Sequence, residues 1–104
     1  MTNQVNLRRL AMEVLLAVTR DGVYSHVALK AVLDKYQYLG KQERSFLTRL
    51  TEGTLERMLW IDFCINQFSK VPVPKMKPVI RTVLRMAVYE LRYMDAVPPS
   101  ATIN

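Results

Sequence analysis

The stretch that decides the fold is KQERSFLTRLTEGTLERMLWIDFCINQF, residues 41–68, which contains no proline and carries one apolar repeat from end to end. The repeating residues are Phe46, Leu47, Leu50, Thr54, Met58, Ile61, Ile65 and Phe68. They recur three or four positions apart, so they share one face of a helix while the charged residues fall elsewhere. The spacing predicts a single amphipathic helix over 41–68, longer than the ~10–14 residues of an average helix.

Near the middle of this helix lies Gly53, where a glycine costs roughly 1 kcal/mol relative to alanine. No proline or capping residue accompanies it, so it marks either a bend or a point where another helix crosses closely. We expect a close crossing.

Outward from this stretch we predict three more helices, at 6–19, 25–36 and 76–94. Asn6 is a suitable N-cap for the first, and Gly22 suits the left-handed position after its end. The last helix begins near Pro74 or Pro78, because proline is tolerated in a first turn.

The fold class is therefore all-α, a bundle of four helices forming one domain over 1–104. Its core is predicted to centre on Leu10, Val14, Leu47, Leu50, Met58, Ile61, Ile65, Ile80, Leu84, Ala87 and Leu91.

The chain is basic, with fifteen Lys and Arg against nine Asp and Glu and a net charge of +6. A surplus of this size suits a polyanionic partner such as a nucleic acid. It is also found in soluble helical domains that bind no polyanion. The net charge alone therefore does not predict a nucleic-acid partner, and the positions of the charged residues are needed as well.

Two groups of cations are candidates for nucleic-acid contacts. One lies in the first turn of helix 6–19, where the helix dipole disfavours cations, and the other forms an acid-free stripe on the last helix, where like charges repel. Either group is equally consistent with a solvated surface. The candidate RNA-binding residues are Arg8, Arg9, Lys77, Arg81, Arg85 and Arg92.

No pattern in the chain indicates catalysis or metal binding. The three glycines form no phosphate-binding loop, and the one cysteine and one histidine, Cys64 and His26, have no partners for a catalytic or metal-ligand set. No apolar run reaches the ~20 residues of a membrane span, and the N-terminus lacks a signal-peptide core. We therefore expect a cytoplasmic protein that does not act at a membrane.

Four segments in order resemble the NusB-type RNA-binding domain over nearly the whole chain. They are LRRLAMEVLLAV at 7–18, YSHVALKAVL at 24–33, FLTRLTEGTLERMLWIDFCIN at 46–66 and IRTVLRMAVYELRYMDAVPPSATIN at 80–104. In that family the last segment leads into further helices, so the resemblance implies a fragment whose C-terminal helices are truncated. It also implies that the first helix, with Arg8 and Arg9, contacts RNA.

Two branches share this domain. One is the free-standing transcription antitermination factor, which binds boxA RNA together with a small ribosomal-subunit protein. The other is the N-terminal domain of RsmB-type (Sun or Fmu) methyltransferases, which act on cytosine C5 in small-subunit ribosomal RNA. The segments VYSHVAL, GTLERMLWIDFCI and YMDAVPPSA look more like the methyltransferase branch.

The methyltransferase resemblance implies a non-catalytic accessory domain of a ribosomal RNA methyltransferase. Its partners would be ribosomal RNA and the parent's own methyltransferase domain, which would hold both S-adenosylmethionine and the catalytic cysteines. Apolar surface uncovered by truncation would favour a homo-oligomer. A third interpretation is a protein-interaction module, in which a helical face binds a partner helix and the basic stripe is merely solvated.

Overall fold

The computed structural model describes residues 6–94, and the described chain is built from five α-helices. They are α1 (Leu7–Thr19), α2 (Ser25–Lys35), α3 (Lys41–Glu56), α4 (Met58–Phe68) and α5 (Pro78–Tyr89). A 3-10 turn at Val73–Lys75 precedes α5, and a π-helical turn at Glu90–Met94 continues it. No strand occurs in residues 6–94, and the predicted all-α class is confirmed.

Helix α1 is the centre of the bundle and packs against α2, α3 and α5. Asn6 caps it as predicted, because its Oδ1 accepts a hydrogen bond from the Arg9 N–H at 3.1 Å. Gly22 adopts a φ of 77° in the turn that follows, a conformation that glycine reaches without steric strain. The buried residues of α1 are Leu10, Ala11, Val14, Leu15 and Leu16.

The prediction of one unbroken helix over 41–68 is wrong, since the helix bends at Arg57 and divides into α3 and α4. The Arg57 N–H still bonds the Gly53 carbonyl at 3.0 Å, and the Arg57 carbonyl accepts from the Ile61 N–H at 2.9 Å. The apolar spacing therefore stays in register across the bend, and periodicity alone cannot reveal it. The Arg57 guanidinium lies 4.7 Å from the centre of the Tyr93 ring, so the residue at the bend contacts the π-helical turn near the other end of the chain. Residues 6–94 accordingly contain five α-helices where four were predicted.

The close crossing predicted at Gly53 is confirmed. The Tyr89 side chain of α5 lies directly against the Gly53 backbone, and a Cβ added at this position would overlap the Tyr89 ring. Tyr89 is buried and stacks on Tyr93, with 5.2 Å between the ring centres. The two tyrosines therefore fill space in the bundle.

The predicted buried face of α5 is wrong, because this helix buries residues that include polar groups. Thr82 can be buried since its hydroxyl donates a hydrogen bond to the Pro78 carbonyl at 2.7 Å. The fully buried residues of α5 are Thr82, Met86 and Tyr89. The predicted core residues that are exposed instead are Ile80, Ala87 and Leu91.

The core predictions outside α5 agree with the structure. Met58 is partly buried, and so is Leu84, the one predicted core residue of α5 that is not exposed. The predicted residues that are fully buried are Leu10, Val14, Leu47, Leu50, Ile61 and Ile65.

Helices α4 and α5, with the π turn, leave large apolar side chains exposed in the described part of the chain. Leu59 is 89% exposed and Leu91 is 71% exposed. The other exposed large apolar residues of these elements are Trp60, Phe63, Phe68, Val79, Ile80 and Val83. Surface of this kind, when extensive, marks an interaction site. Among the helices of residues 6–94, none has both the length and the apolar character needed to cross a membrane.

Candidate nucleic-acid interface

The distribution of acidic partners divides the cations into two classes. All fifteen Lys and Arg lie within residues 6–94. Those within 4.0 Å of a carboxylate there are Arg8, Arg9, Arg20, Lys30 and Arg85. The other ten have no acidic partner among the described residues, so most of the positive charge remains available to a ligand.

Arg8, at the start of α1, is held in a fixed orientation. Its Nε donates to Glu90 Oε1 at 2.8 Å and its Nη2 to Glu90 Oε2 at 2.6 Å, and these hydrogen bonds raise the pKa of Arg8 further. The guanidinium also lies 5.3 Å from the centre of the Phe46 ring of α3. Its side chain remains 61% exposed, so the other N–H groups of the guanidinium can reach a ligand. The neighbouring Arg9 is more exposed, and its Nε lies 3.7 Å from Glu13.

Arg85 has a different position from the other predicted RNA contacts. Its Nε and Nη2 each donate to one oxygen of Asp62 at 2.8 Å, which joins α5 to α4. The side chains of Arg85 and Asp62 are only 11% and 23% exposed. A phosphate could reach this guanidinium only by displacing the carboxylate, so Arg85 is part of the helix packing.

The remaining predicted cations of the α5 stripe face solvent more openly. Lys77 and Arg92 are exposed, and Arg81 is half-buried with its Nη1 3.5 Å from the carbonyl oxygens of Val73 and Pro74. Lys75 and Lys77 line a shallow groove of about 380 Å³ beside Ile80 and Leu84.

The α1 arginines and the α5 stripe lie on different sides of α5. Arg8 pairs with Glu90, whereas Arg85 of the stripe pairs with Asp62 on α4. Glu90 and Arg85 are five residues apart, which separates them by roughly 140° around a helix of 3.6 residues per turn. The six predicted residues therefore do not form one continuous patch.

A third group of cations, on α3, is absent from the sequence prediction. Lys41, Arg44 and Arg49 line a shallow cleft between α2 and α3 and have no acidic partner among the described residues. The signal was present in the sequence, because 41, 44, 45, 48, 49 and 52 repeat at helical spacing and are all polar. The prediction for this helix used only its apolar face.

The residues considered for catalysis have no arrangement of that kind in the described chain. His26 is exposed and stacks on Tyr24 with 6.0 Å between ring centres, and Cys64 is half-buried. Residues 6–94 contain no group of three or more His, Cys, Asp and Glu that could hold a metal ion.

The fold and the surface define a basic, all-α domain. The sequence profile of the NusB family matches residues 5–104, so the chain belongs to the NusB family, as the resemblance predicted.

Curated relatives fall into the two predicted branches. The chain is 34% identical over 100 residues to a probable ribosomal RNA small subunit methyltransferase B of Synechocystis sp., covering 96% of this chain and 22% of the relative. It is 32% identical over 101 residues to the corresponding Bacillus subtilis protein, covering 97% of the chain and 22% of the relative. It is 37% identical over 79 residues to the transcription antitermination protein NusB of Bacillus thuringiensis, covering 75% of the chain and 58% of that protein. The chain thus spans about a fifth of the methyltransferase relatives. No solved structure is significantly similar to it.

Proposed function

We propose that this chain is the RNA-binding N-terminal domain of a small-subunit ribosomal RNA methyltransferase. It would hold ribosomal RNA by its phosphates and take no part in the methyl transfer to cytosine C5. Support comes from the methyltransferase relatives, which resemble 96–97% of the chain but extend far beyond it, leaving most of their length for a separate catalytic domain. The protein would act in the cytoplasm, where ribosomal RNA is modified.

The observation that carries the RNA-binding proposal is that ten of the fifteen Lys and Arg have no acidic partner in residues 6–94. Cations of this kind bind phosphates by releasing condensed counterions, which gives affinity without base specificity. Of the original set, Arg8 and Arg9 at the start of α1 form one group of candidate contacts, and Lys77, Arg81 and Arg92 at α5 form a second, separate group. Arg85 is omitted because Asp62 occupies it.

We propose that S-adenosylmethionine, the methyl donor of such enzymes, is not held by this domain. Nucleotide-like cofactors are commonly held where a Gly-rich turn joins a strand to a helix, and the glycines of this chain lie in a helix-end turn, at a helix cap and under a tyrosine ring. We place the cofactor and the catalytic cysteines in the parent's methyltransferase domain, which would also be a partner of this domain.

The antitermination factor is a second candidate, favoured by the 37% identity to NusB over 79 residues. The length and activity of the native gene product distinguish the two. A long product that transfers methyl groups to cytosine in small-subunit RNA supports the methyltransferase. A product little longer than this chain, binding boxA RNA without methylating it, supports the antitermination factor.

We expect the chain to bind a fluorescent fragment of small-subunit ribosomal RNA with an affinity that falls steeply between about 50 and 200 mM salt. Five phosphate contacts to single-stranded RNA predict a slope of log K against log salt of about −3 to −4. Arg8→Gln with Arg9→Gln should reduce the magnitude of the slope by about one. The control is Arg20→Gln with Lys30→Gln, which removes two equally exposed, acid-paired cations elsewhere.

Absence of RNA binding at low salt by the folded chain would contradict this proposal and favour the protein-interaction module. Binding that does not depend on salt would contradict the proposal in the same way. Circular dichroism confirms that each variant is folded, and surface ion pairs such as Arg8 with Glu90 contribute only about 0–1 kcal/mol to folding.

The exposed apolar residues of α4 and α5 also support a second copy of the chain as a partner. We expect the sedimentation coefficient to rise with protein concentration. Leu59→Gln with Phe63→Gln should abolish the rise while leaving the fold intact, because both side chains are already exposed. A chain that stays monomeric at every concentration would rule out this homo-oligomer.

A further inference from the structure

We propose that RNA bound at Arg8 continues across α3 along Lys41, Arg44 and Arg49, and not along the α5 stripe. This inference rests on the proposed RNA-binding function and assigns it to one surface. The surface is called the α3 track below and consists of Lys41, Arg44 and Arg49 with the hydroxyl groups between them.

The first observation is that the α3 track lines two neighbouring depressions. A cleft of about 710 Å³ lies between Leu33 of α2 and the polar face of α3. It shares Lys41, Ser45 and Arg49 with a second depression of about 430 Å³, which extends to Phe46. Because the Arg8 guanidinium lies over the Phe46 ring, the second depression borders both the α3 track and the start of α1.

The second observation is that the α3 arginines are held in place by neutral groups. Arg44 Nη1 donates to the Leu33 carbonyl at 3.3 Å, and Arg49 Nη2 donates to the Tyr93 carbonyl at 3.3 Å. A carbonyl orients a guanidinium without cancelling its charge, and each arginine keeps most of its five N–H donors for a ligand. Arg85, in contrast, is neutralised by a carboxylate.

The third observation concerns the positions of the charges along α3. Lys41 lies in the first turn, where the positive end of the helix dipole disfavours a cation by a few tenths of a kcal/mol, so a bound anion would relieve this repulsion. The acid of that turn, Glu43, is already bonded to the Gly40 N–H at 2.8 Å. Glu52 is the one acid lining the cleft, against three cations.

The row of donors fits a phosphate chain. Lys41 and Arg49 are eight residues apart, about 12 Å along the helix axis at a rise of 1.5 Å per residue. A nucleic-acid strand that runs along α3 would place more than one phosphate within that distance. Ser45 and Thr48 lie between the cations and can donate hydrogen bonds to phosphate oxygens.

The α5 stripe cannot extend the same path. Its members lie on the side of α5 that pairs with α4, away from Glu90 and Arg8. RNA touching both would have to pass around α5, over the exposed apolar side chains of Ile80 and Leu91.

The test compares two triple variants with equal loss of charge. One is Lys41→Gln with Arg44→Gln and Arg49→Gln, and the other is Lys70→Gln with Lys75→Gln and Lys77→Gln. Each is titrated with the same fluorescent ribosomal RNA fragment over a series of salt concentrations. We expect the α3 triple to weaken binding on the order of tenfold at low salt and to reduce the magnitude of the salt slope by about two. The Lys70, Lys75 and Lys77 triple should have a clearly smaller effect on both quantities.

Each other outcome overturns the assignment. A larger loss in the Lys70, Lys75 and Lys77 triple places the RNA at the segment before α5, and an equal loss in both means that net charge governs binding. If wild-type protein does not bind RNA, the proposed function itself is wrong, which separates the two failures.

Arg44 is half-buried, so its replacement could also disturb the fold. A variant that gains affinity avoids this ambiguity, because misfolding does not tighten binding. Glu52→Gln removes the acid of the cleft and should tighten RNA binding severalfold, since a nearby carboxylate repels phosphate. Asp21→Asn, which removes an exposed acid in the turn after α1, should have less effect. No gain from Glu52→Gln relative to Asp21→Asn would contradict the α3 track.

Discussion

Arg85→Ala should lower the free energy of unfolding by about 2–4 kcal/mol. Removing one partner of a buried ion pair typically costs about 3–5 kcal/mol, because the other charge stays buried without compensation. The lower end applies here since Asp62 retains some contact with solvent, with a side chain that is 23% exposed. Urea denaturation followed by circular dichroism measures the loss.

The matched control is Arg92→Ala, which removes the same charge from an exposed position near the end of the same helix. Surface substitutions of this kind usually change stability by less than about 0.5 kcal/mol. A loss from Arg85→Ala no larger than that of the control would show that the pair with Asp62 contributes nothing to folding.

A double variant separates the structural role of the pair from any role in RNA binding. Asp62→Leu with Arg85→Met replaces the ions by apolar side chains of similar size, which is often neutral or stabilising. It also leaves the net charge unchanged. If Arg85 serves only packing, the double variant should bind RNA like the wild type. A loss of affinity together with a smaller salt slope would restore Arg85 as a phosphate contact.

The case of Arg85 shows how far the sequence could predict the site. Helical spacing predicted a row that contains Lys77, Arg81 and Arg85, and the family resemblance predicted an RNA contact at Arg8. Spacing could not find Asp62, which lies 23 residues earlier on another helix. It could not find Glu90 as the partner of Arg8 either, since 82 residues separate them. Whether a charged side chain is free to bind a ligand depends on such distant partners, and local sequence patterns do not contain them.

The fold was more accessible to prediction, within a similar limit. The face of α3 that carries Leu47 and Leu50 was found because its apolar residues recur at helical spacing, although Thr51 and Thr54 are buried on it as well. The buried face of α5 was missed because it contains Thr82, whose hydroxyl is buried through its hydrogen bond to the Pro78 carbonyl, and Tyr89, whose ring packs on Gly53. The apolar side chains of Ile80 and Leu91 lie on the exposed side instead, so hydropathy pointed in the wrong direction.

Gly53→Ala should destabilise the bundle by about 2–3 kcal/mol, although the same change in an open helix stabilises by roughly 1 kcal/mol. The reversed sign follows from Tyr89, because the added methyl group would occupy the space of its ring. The ring cannot move aside cheaply, since it is buried and stacked on Tyr93. Thermal and urea unfolding of the variant measure the change.

A series of changes at Tyr89 tests this cause of the instability. Tyr89→Phe removes the hydroxyl but keeps the ring atoms that the methyl group would meet, so Gly53→Ala should remain destabilising in that background. Tyr89→Leu removes the far end of the ring, and there Gly53→Ala should become neutral or stabilising. The coupling energy between the two positions should therefore reach about 2 kcal/mol, within the range for residues in direct contact. If Gly53→Ala stabilises the protein with Tyr89 intact, the crossing of α3 and α5 does not require a glycine at this position.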